Sequence, residues 1–320
     1  MTNKILALDF GGTKLAAAVV NVGERNWQNY QKTFSPPNAS AQTDIEIILS
    51  LSHKLLKGEN PAAIGVSFGG PVDATTGTVR LSHHVKGWEN IPLEKILETE
   101  FKAPTVVDND ANVAAIGEHR FGAGQGHDSL LYITVSTGVG SGWIINGQPW
   151  RGKQSMAGEI GHITVDPAGP LCLCGKRGCV ESFASGPYIA QQTKEWLREQ
   201  PTEGQILRSL VNKDLEGITA QKVSEAAIQG DELAIKVISL AGWALGVGIG
   251  NVANLVNPEK FVLGGGVMKA GKLLWETVQR VARETALPEV SFDIVPAALG
   301  DHAPLWGAVA LADNLLLTKK

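Results

Sequence analysis

Two stretches of the chain repeat one pattern, and that repeat limits the fold more than any other feature. Lys4 to Asn21 reads KILALDFGGTKLAAAVVN, and Ser129 to Asn146 reads SLLYITVSTGVGSGWIIN. Each is an apolar run, a short polar and glycine-rich interruption, then a second apolar run. Length and β-branched content predict strand, tight turn, strand in both. Such self-similarity implies two copies of one α/β unit, each opening with a glycine-tipped hairpin. The 320 residues suffice for two domains, since single cores stop growing at about 250 to 300 residues.

Helix and strand patterns alternate between and after the repeats, which predicts an α/β fold. Ala41 to Lys57 has helical apolar spacing closed by Gly58 and Pro61, and Ala62 to Phe68 is a short strand followed by the turn Gly69-Gly70-Pro71. Pro92 to Phe101 is predicted helical with Pro92 at its first turn. Thr105 to Asp108 is a strand delivering Asp108-Asn109-Asp110 at its carboxyl end, where open α/β sheets place ligand residues. Further on, His162 to Glu181 is turn-rich, Gln221 to Asn257 helical, Phe261 to Leu263 a buried strand ending in Gly264-Gly265-Gly266, and Lys269 to Glu284 helical. The repeat puts the domain boundary near Glu118.

Lys and Arg number 28 against 32 Asp and Glu, so the formal charge is −4 and offers no electrostatic footprint for nucleic acid or an anionic membrane. Asp9 interrupts the first apolar run before a secretory segment could form, so a cytoplasmic location is expected. Ile238 to Asn257 carries no charge and is about long enough to cross a bilayer. Four glycines and three asparagines within it are costly against lipid, and the segment is read as a helix buried between lobes.

No G-x-x-x-x-G-K-[ST] occurs, nor a G-x-G-x-x-G after the first strand, which removes the P-loop and the dinucleotide fingerprint. Asp9-Phe10-Gly11-Gly12-Thr13-Lys14 and Thr137-Gly138-Val139-Gly140 stand in their place. Either hairpin alone is most simply a structural β-turn. Together, with Asp9 to hold a hydrated cation, they can grip a polyphosphate with bare backbone amides. Asp108-Asn109-Asp110 before Ala111-Asn112-Val113 is a helix-cap cluster, and a carboxylate there is also what accepts an alcohol proton in phosphoryl transfer. His162 with Cys172, Cys174 and Cys179 makes a Cys₃His set matching a closed structural zinc site, with free thiols or a Cys172–Cys174 redox pair as alternatives.

DFGGTK at 9 to 14, VDNDAN at 107 to 112, TVSTGVGSG at 134 to 142, AGEIGH at 157 to 162, CLCGKRGCVES at 172 to 182 and VLGGGV at 262 to 267 together resemble the ROK family of sugar kinases and sugar-responsive repressors. The order is the family's over nearly the whole chain, and the cysteine segment is highly specific. The resemblance implies a two-lobed actin-like, ribonuclease H-like ATPase fold with a structural zinc loop. Residues 1–118 with 300–320 would form the smaller lobe and 119–299 the larger. Asp110 would be the general base on a sugar 6-hydroxyl. Gly70, Asn109, Glu159, His162 and Glu181 would belong to the sugar site, His162 sharing one ring nitrogen with zinc. Gly11, Gly12, Thr13 and Lys14 would form the first phosphate loop, Thr137 and Gly138 the second. Gly264, Gly265 and Gly266 would lie under adenosine, and Asp9 would order Mg²⁺. A homodimer is implied as well.

These implications make ATP-dependent phosphorylation of a hexose, with glucose first, the expected function. An N-acetylglucosamine or N-acetylmannosamine kinase is the runner-up, because Gly69-Gly70-Pro71 departs from the family's proline-glycine-proline at the loop nearest the sugar. Polyphosphate is an alternative donor. A sugar-sensing repressor carries a helix-turn-helix domain ahead of the first hairpin, whereas here a strand begins by Ile5, so DNA binding is not expected.

Overall fold

The computed structural model describes residues 3–82 and 84–318. Met1, Thr2, His83, Lys319 and Lys320, all expected in the smaller lobe, lie outside the described residues. The first repeat runs β1 (Lys4–Phe10), β2 (Lys14–Asn21), β3 (Asn29–Phe34), α1 (Ala41–Leu56), β4 (Ala63–Phe68), the ribbon β5 (Val72–Asp73) and β6 (Thr78–Val79), α2 (Leu93–Phe101), β7 (Thr105–Asn109) and α3 (Asp110–Phe121). The second runs β8 (Leu130–Val135), β9 (Val139–Ile145), β10 (Gln148–Trp150), α4 (Glu181–Ala184), α5 (Gly186–Glu199), α6 (Gln205–Leu210), α7 (Ala220–Ile228), α8 (Glu232–Val256), β11 (Lys260–Gly264), α9 (Lys272–Thr285), β12 (Asp293–Pro296) and α10 (Ala303–Thr318).

The repeat is visible in the sheets. One is ordered β3-β2-β1-β4-β7 and the other β10-β9-β8-β11-β12. In the first, β1 pairs antiparallel with β2 and parallel with β4, and β4 pairs parallel with β7. β1 and β4 are flanked on both edges and contacted by α10, and β1 by α1 as well, so they are apolar almost throughout. The edge strand β3 alternates half-buried and exposed residues, which is why its sequence NYQKTF carries no apolar run.

The chain divides into two compact units. The first holds the chain through Tyr132, Gly142–Ala157, and the chain from Ala297 onward; the second holds Ile133–Ser141 and Gly158–Pro296. Like the expected smaller lobe, the first unit includes α10; it also runs on through Tyr132 and takes the strand-rich 142–157 segment. Its α3 and α10 cross so closely that a Cβ on Gly307 would lie 1.7 Å from the Val113 carbonyl oxygen, and one on Gly65 of β4 would lie 1.8 Å from that of Ala308.

Two predicted helices are subdivided. Gln221 to Asn257 is not one helix, because Gly230 at φ +91° breaks it and Asp231 caps α8 by accepting from the Ala234 amide at 3.1 Å. Lys269 to Glu284 breaks at Gly271, φ +98°, between a 3₁₀ turn and α9. Helix α10 is likewise preceded by a 3₁₀ turn at Gly300–His302. α8 is long and apolar enough to cross a membrane, and 67% of its most apolar window is buried inside the protein. It lies within the second unit, against α9, α7, α4 and α5. Its glycines explain its composition: Gly242, Gly246 and Gly250 form one face on α9, where added Cβ atoms would meet Thr277, Val281 and Thr285 at 2.5 to 2.8 Å.

Candidate functional site

In the first unit, β7 passes into α3 with no loop, so Asn109 ends a strand and Asp110 begins a helix. Asn109 is the cap: its side-chain oxygen accepts from the Ala111 amide at 3.0 Å and the Asn112 amide at 3.4 Å. Such a cap contributes about 1 kcal/mol. Its Nδ2 donates to the Gly70 carbonyl at 3.0 Å and to Asp110 Oδ1 at 3.0 Å, fastening the Gly69-Gly70-Pro71 turn to the junction. Asp110 Oδ1 also accepts from the Ala111 amide at 2.8 Å. Asp108, fully buried, is the third member. Its Oδ1 accepts from the Asn109 amide at 2.8 Å and from Asn112 Nδ2 at 3.2 Å, and its Oδ2 accepts from Arg151 Nε at 2.6 Å.

The β1–β2 hairpin stands beside this junction. Its tip is closed by the Gly11 amide donating to the Lys14 carbonyl at 2.9 Å, with Thr13 and Lys14 exposed. Phe10 and Phe68, at the ends of adjacent strands, pack on the buried Trp88 with ring centroids 5.5 and 4.7 Å away. The Gly69 amide donates to the Phe10 carbonyl at 2.8 Å, joining hairpin and turn. Asp9 accepts from Ser67 Oγ at 2.8 Å. Burial pushes its carboxyl up to about 7, opposed by the Ser67 hydrogen bond, reinforced by the charge of Asp110 and eased by Lys14.

In the second unit, the β8–β9 turn is closed by the Ser136 amide donating to the Gly138 carbonyl at 2.9 Å. The next amide, Val139, donates to Glu181 Oε2 at 2.8 Å. Glu181 opens α4 directly after the cysteine segment. Glu159 is solvent-accessible, yet desolvation by the surrounding protein raises its carboxyl above the usual range, with His162 opposing and Glu181 reinforcing. The charges of His162 and Glu181 thus act on Glu159.

His162, Cys172, Cys174 and Cys179 place one donor atom each within 4.8 Å of one another. The Cys174 and Cys179 sulfurs are 3.6 Å apart, and His162 Nδ1 is 3.8 Å from the Cys172 sulfur. Tetrahedral zinc with Zn–S near 2.3 Å requires S···S of about 3.8 Å and S···N of about 3.5 Å, so the donor set fits that ion. All three cysteines are free thiols. Gly178, φ +67°, closes the loop where a Cβ would lie 1.5 Å from the Asp166 carbonyl oxygen.

A cavity of about 840 Å³ also lies in the second unit. Ser136, Thr137, Gly186, Thr219, Gln221 and Gly266 line part of it. Of the glycines after β11, Gly266 reaches this cavity, whereas Gly265, φ +93°, lets the turn approach Val135 of β8. Gly264 is the buried last residue of β11.

Sequence reasoning missed Arg151, Ser67 and the cavity walls on α5 and α7. Arg151 had a signal: an aspartate inside the apolar strand run TVVD must find a cation when buried. The cavity walls had none, because α5 and α7 reach it only through the tertiary fold.

The model of the ROK family matches residues 5–314. A glucokinase of Halalkalibacterium halodurans is 37% identical over 94% of this chain and 92% of its own. The crystal structure of a ROK family glucokinase from Streptomyces griseus, in complex with glucose and AMPPNP, superposes with a TM-score of 0.82 at 35% identity, covering 97% of this chain and 99% of that one. A xylose repressor of Caldicellulosiruptor bescii is 28% identical over 98% of this chain and 79% of its own. This repeated α/β chain, with the actin-like ATPase fold, belongs to the ROK family.

Proposed function

We propose that the protein is an ATP-dependent hexose kinase that transfers the γ-phosphoryl group to a sugar 6-hydroxyl, with glucose as substrate. The observation that carries this reading is the loopless β7–α3 junction. There Asn109 caps the helix and bonds Gly70, and the neighbouring Asp110 presents a carboxylate beside the hairpin that bears Asp9. Asp110 accepts the 6-hydroxyl proton as that oxygen attacks phosphorus. Gly70, Asn109, Glu159, His162 and Glu181 hold the remaining sugar oxygens. The His162 ring turns Nδ1 to the cysteines, which leaves Nε2 for the sugar.

Amides and side chains of Gly11, Gly12, Thr13, Lys14, Thr137 and Gly138 bind phosphates. The cavity behind Thr137 receives the nucleoside against Gly266, with Gly264 and Gly265 setting the turn that carries it. A space of about 840 Å³ suits a nucleoside and is superfluous for a bare polyphosphate chain, which favours ATP as donor. Mg²⁺, when bound, neutralises phosphate charge; Asp9 is the carboxylate that would order it. Zinc held by His162, Cys172, Cys174 and Cys179 would fix the loop that presents His162 and Glu181. A cytoplasmic location and a homodimer complete the reading.

The turn Gly69-Gly70-Pro71 favours a second reading, an N-acetylhexosamine kinase, because it replaces a stiff proline with glycine where Asn109 is anchored. ADP release should be measured with Mg²⁺ and ATP against glucose, N-acetylglucosamine, N-acetylmannosamine, mannose and fructose. Glucose is expected to give the highest kcat/KM. A preference for an acetylated sugar would establish the second reading, and no turnover with any of the five would overturn both.

A further inference from the structure

The junction that carries Asp110 has an anchor that the reaction itself does not require. Asp108 is fully buried, and a buried carboxylate persists only when its charge and lone pairs are matched. Three bonds match it. The Asn109 amide and Asn112 Nδ2 occupy Oδ1, and Arg151 Nε reaches Oδ2 at 2.6 Å. The first two grip the residues on either side of Asp110, so the carboxylate holds the turn from strand to helix from below. Without a loop, any shift of that turn moves Asp110 directly.

Arg151 follows β10, the strand paired with β9, and its guanidinium also reaches back to the Pro149 carbonyl at 3.5 Å. Its own carbonyl accepts from the Ala157 amide at 3.0 Å. Ala157 directly precedes Gly158 and Glu159. One residue thus braces the base-bearing junction with its side chain and, with its backbone, the entry to the segment holding Glu159.

We infer that Arg151 is a positioning residue for Asp110, acting through the buried carboxylate of Asp108. The inference rests on the kinase reading for its consequence in turnover, though not for its consequence in structure. A lysine would not replace the arginine fully, because it offers a point charge on a flexible stem where the guanidinium presents Nε in a fixed plane.

The test is a double-mutant cycle on the full chain with R151M, D108N and the double variant, read by steady-state kinetics and by amide exchange of residues 109–112. Each single substitution is expected to lower kcat ten- to a hundredfold while KM for ATP stays within twofold, and to speed exchange in that segment at least tenfold. The double variant should fall no further than the worse single, because both act through one carboxylate. R151K should recover part of the kcat lost in R151M, and it carries the test if R151M does not fold. Multiplicative losses in the double variant, or unchanged kcat and unchanged exchange in folded R151M, would overturn the inference. Should the wild-type chain turn over no sugar, the kinase reading fails, and the exchange comparison alone decides the role of Arg151.

Discussion

The two repeats share one sheet order and differ in how their strands end and connect. In the first, β1 ends in Asp9 and Phe10, and β7 runs without interruption into the helix that begins at Asp110. In the second, the position matching Asp9 is Thr134, and β12 is followed by three residues and a 3₁₀ turn before α10. Between β3 and β4 the first repeat places one helix, α1; between β10 and β11 the second places the cysteine loop and five helices. The first repeat has thus concentrated charge at the ends of its strands, and the second has added a large insertion that holds the cysteine–histidine cluster and walls one side of the cavity of about 840 Å³. A duplicated scaffold divides labour when one copy keeps its connections short and the other lengthens them.

Experiments can separate the two contributions. The largest effect is expected from Asp110→Asn, which keeps shape and loses basicity: kcat should drop on the order of 10² to 10⁴ with sugar affinity within threefold, measured by coupled assay and calorimetry. Near-normal turnover would move the base out of the first repeat. Next, Gly307→Ala and Gly246→Ala test how each unit packs its helices. The first places a Cβ 1.7 Å from a backbone oxygen and should cost more than about 3 kcal/mol; the second meets a side-chain carbon at 2.6 Å and should cost about 1 to 3 kcal/mol, both by urea denaturation. A reversed order would mean that the α3–α10 crossing yields more readily than the α8–α9 one.

Metal removal probes the insertion alone. Chelation, followed by metal analysis, should lower sugar affinity by about ten- to a hundredfold through His162 and Glu181. Turnover at saturating sugar should fall much less than in Asp110→Asn. Protein that holds no metal as purified and binds sugar tightly would refute the zinc assignment. The last test concerns Asp9, whose effect is spread over about three pH units. Its carboxyl is raised from 3.8 to about 7, so the folded state retains a proton that the unfolded chain releases, and stability of the metal-free protein should decline from about pH 4 to about pH 7. The slope is bounded by about 1.4 kcal/mol per pH unit, and Asp9→Asn should flatten it. An unchanged slope in that variant would place the responsible group elsewhere.

Much of this was legible in the sequence because it is local. Both glycine hairpins, α1, β4, α2 and the strand that delivers Asp108-Asn109-Asp110 can be read from apolar periodicity and turn residues. So can the closeness of four metal-ligand side chains, three of which lie in eight residues. The features that escaped are relational. β3 was missed because an edge strand alternates polar residues and lacks an apolar run, and the break at Gly230 because the apolar spacing resumes directly after it. The partners of α8 were hidden for a related reason, since periodicity reports that a helix is buried and is silent on the elements that bury it. Arg151 lies 43 residues from Asp108, a distance no local pattern spans.

The order in which the chain leaves the ribosome adds a last consequence. Strand β8 ends at Val135, and its partner β11 begins at Lys260, about 125 residues later. At roughly 5 to 20 residues per second, β8 waits about 6 to 25 s with one edge unpaired. Nor is the first unit finished sooner, because α10, which seats on β1 and β4, is made after every strand of both sheets. The unit that begins first is therefore completed last. Neither half is expected to close before most of the chain has emerged, and the exposed β8 edge is where a nascent-chain chaperone would be needed most.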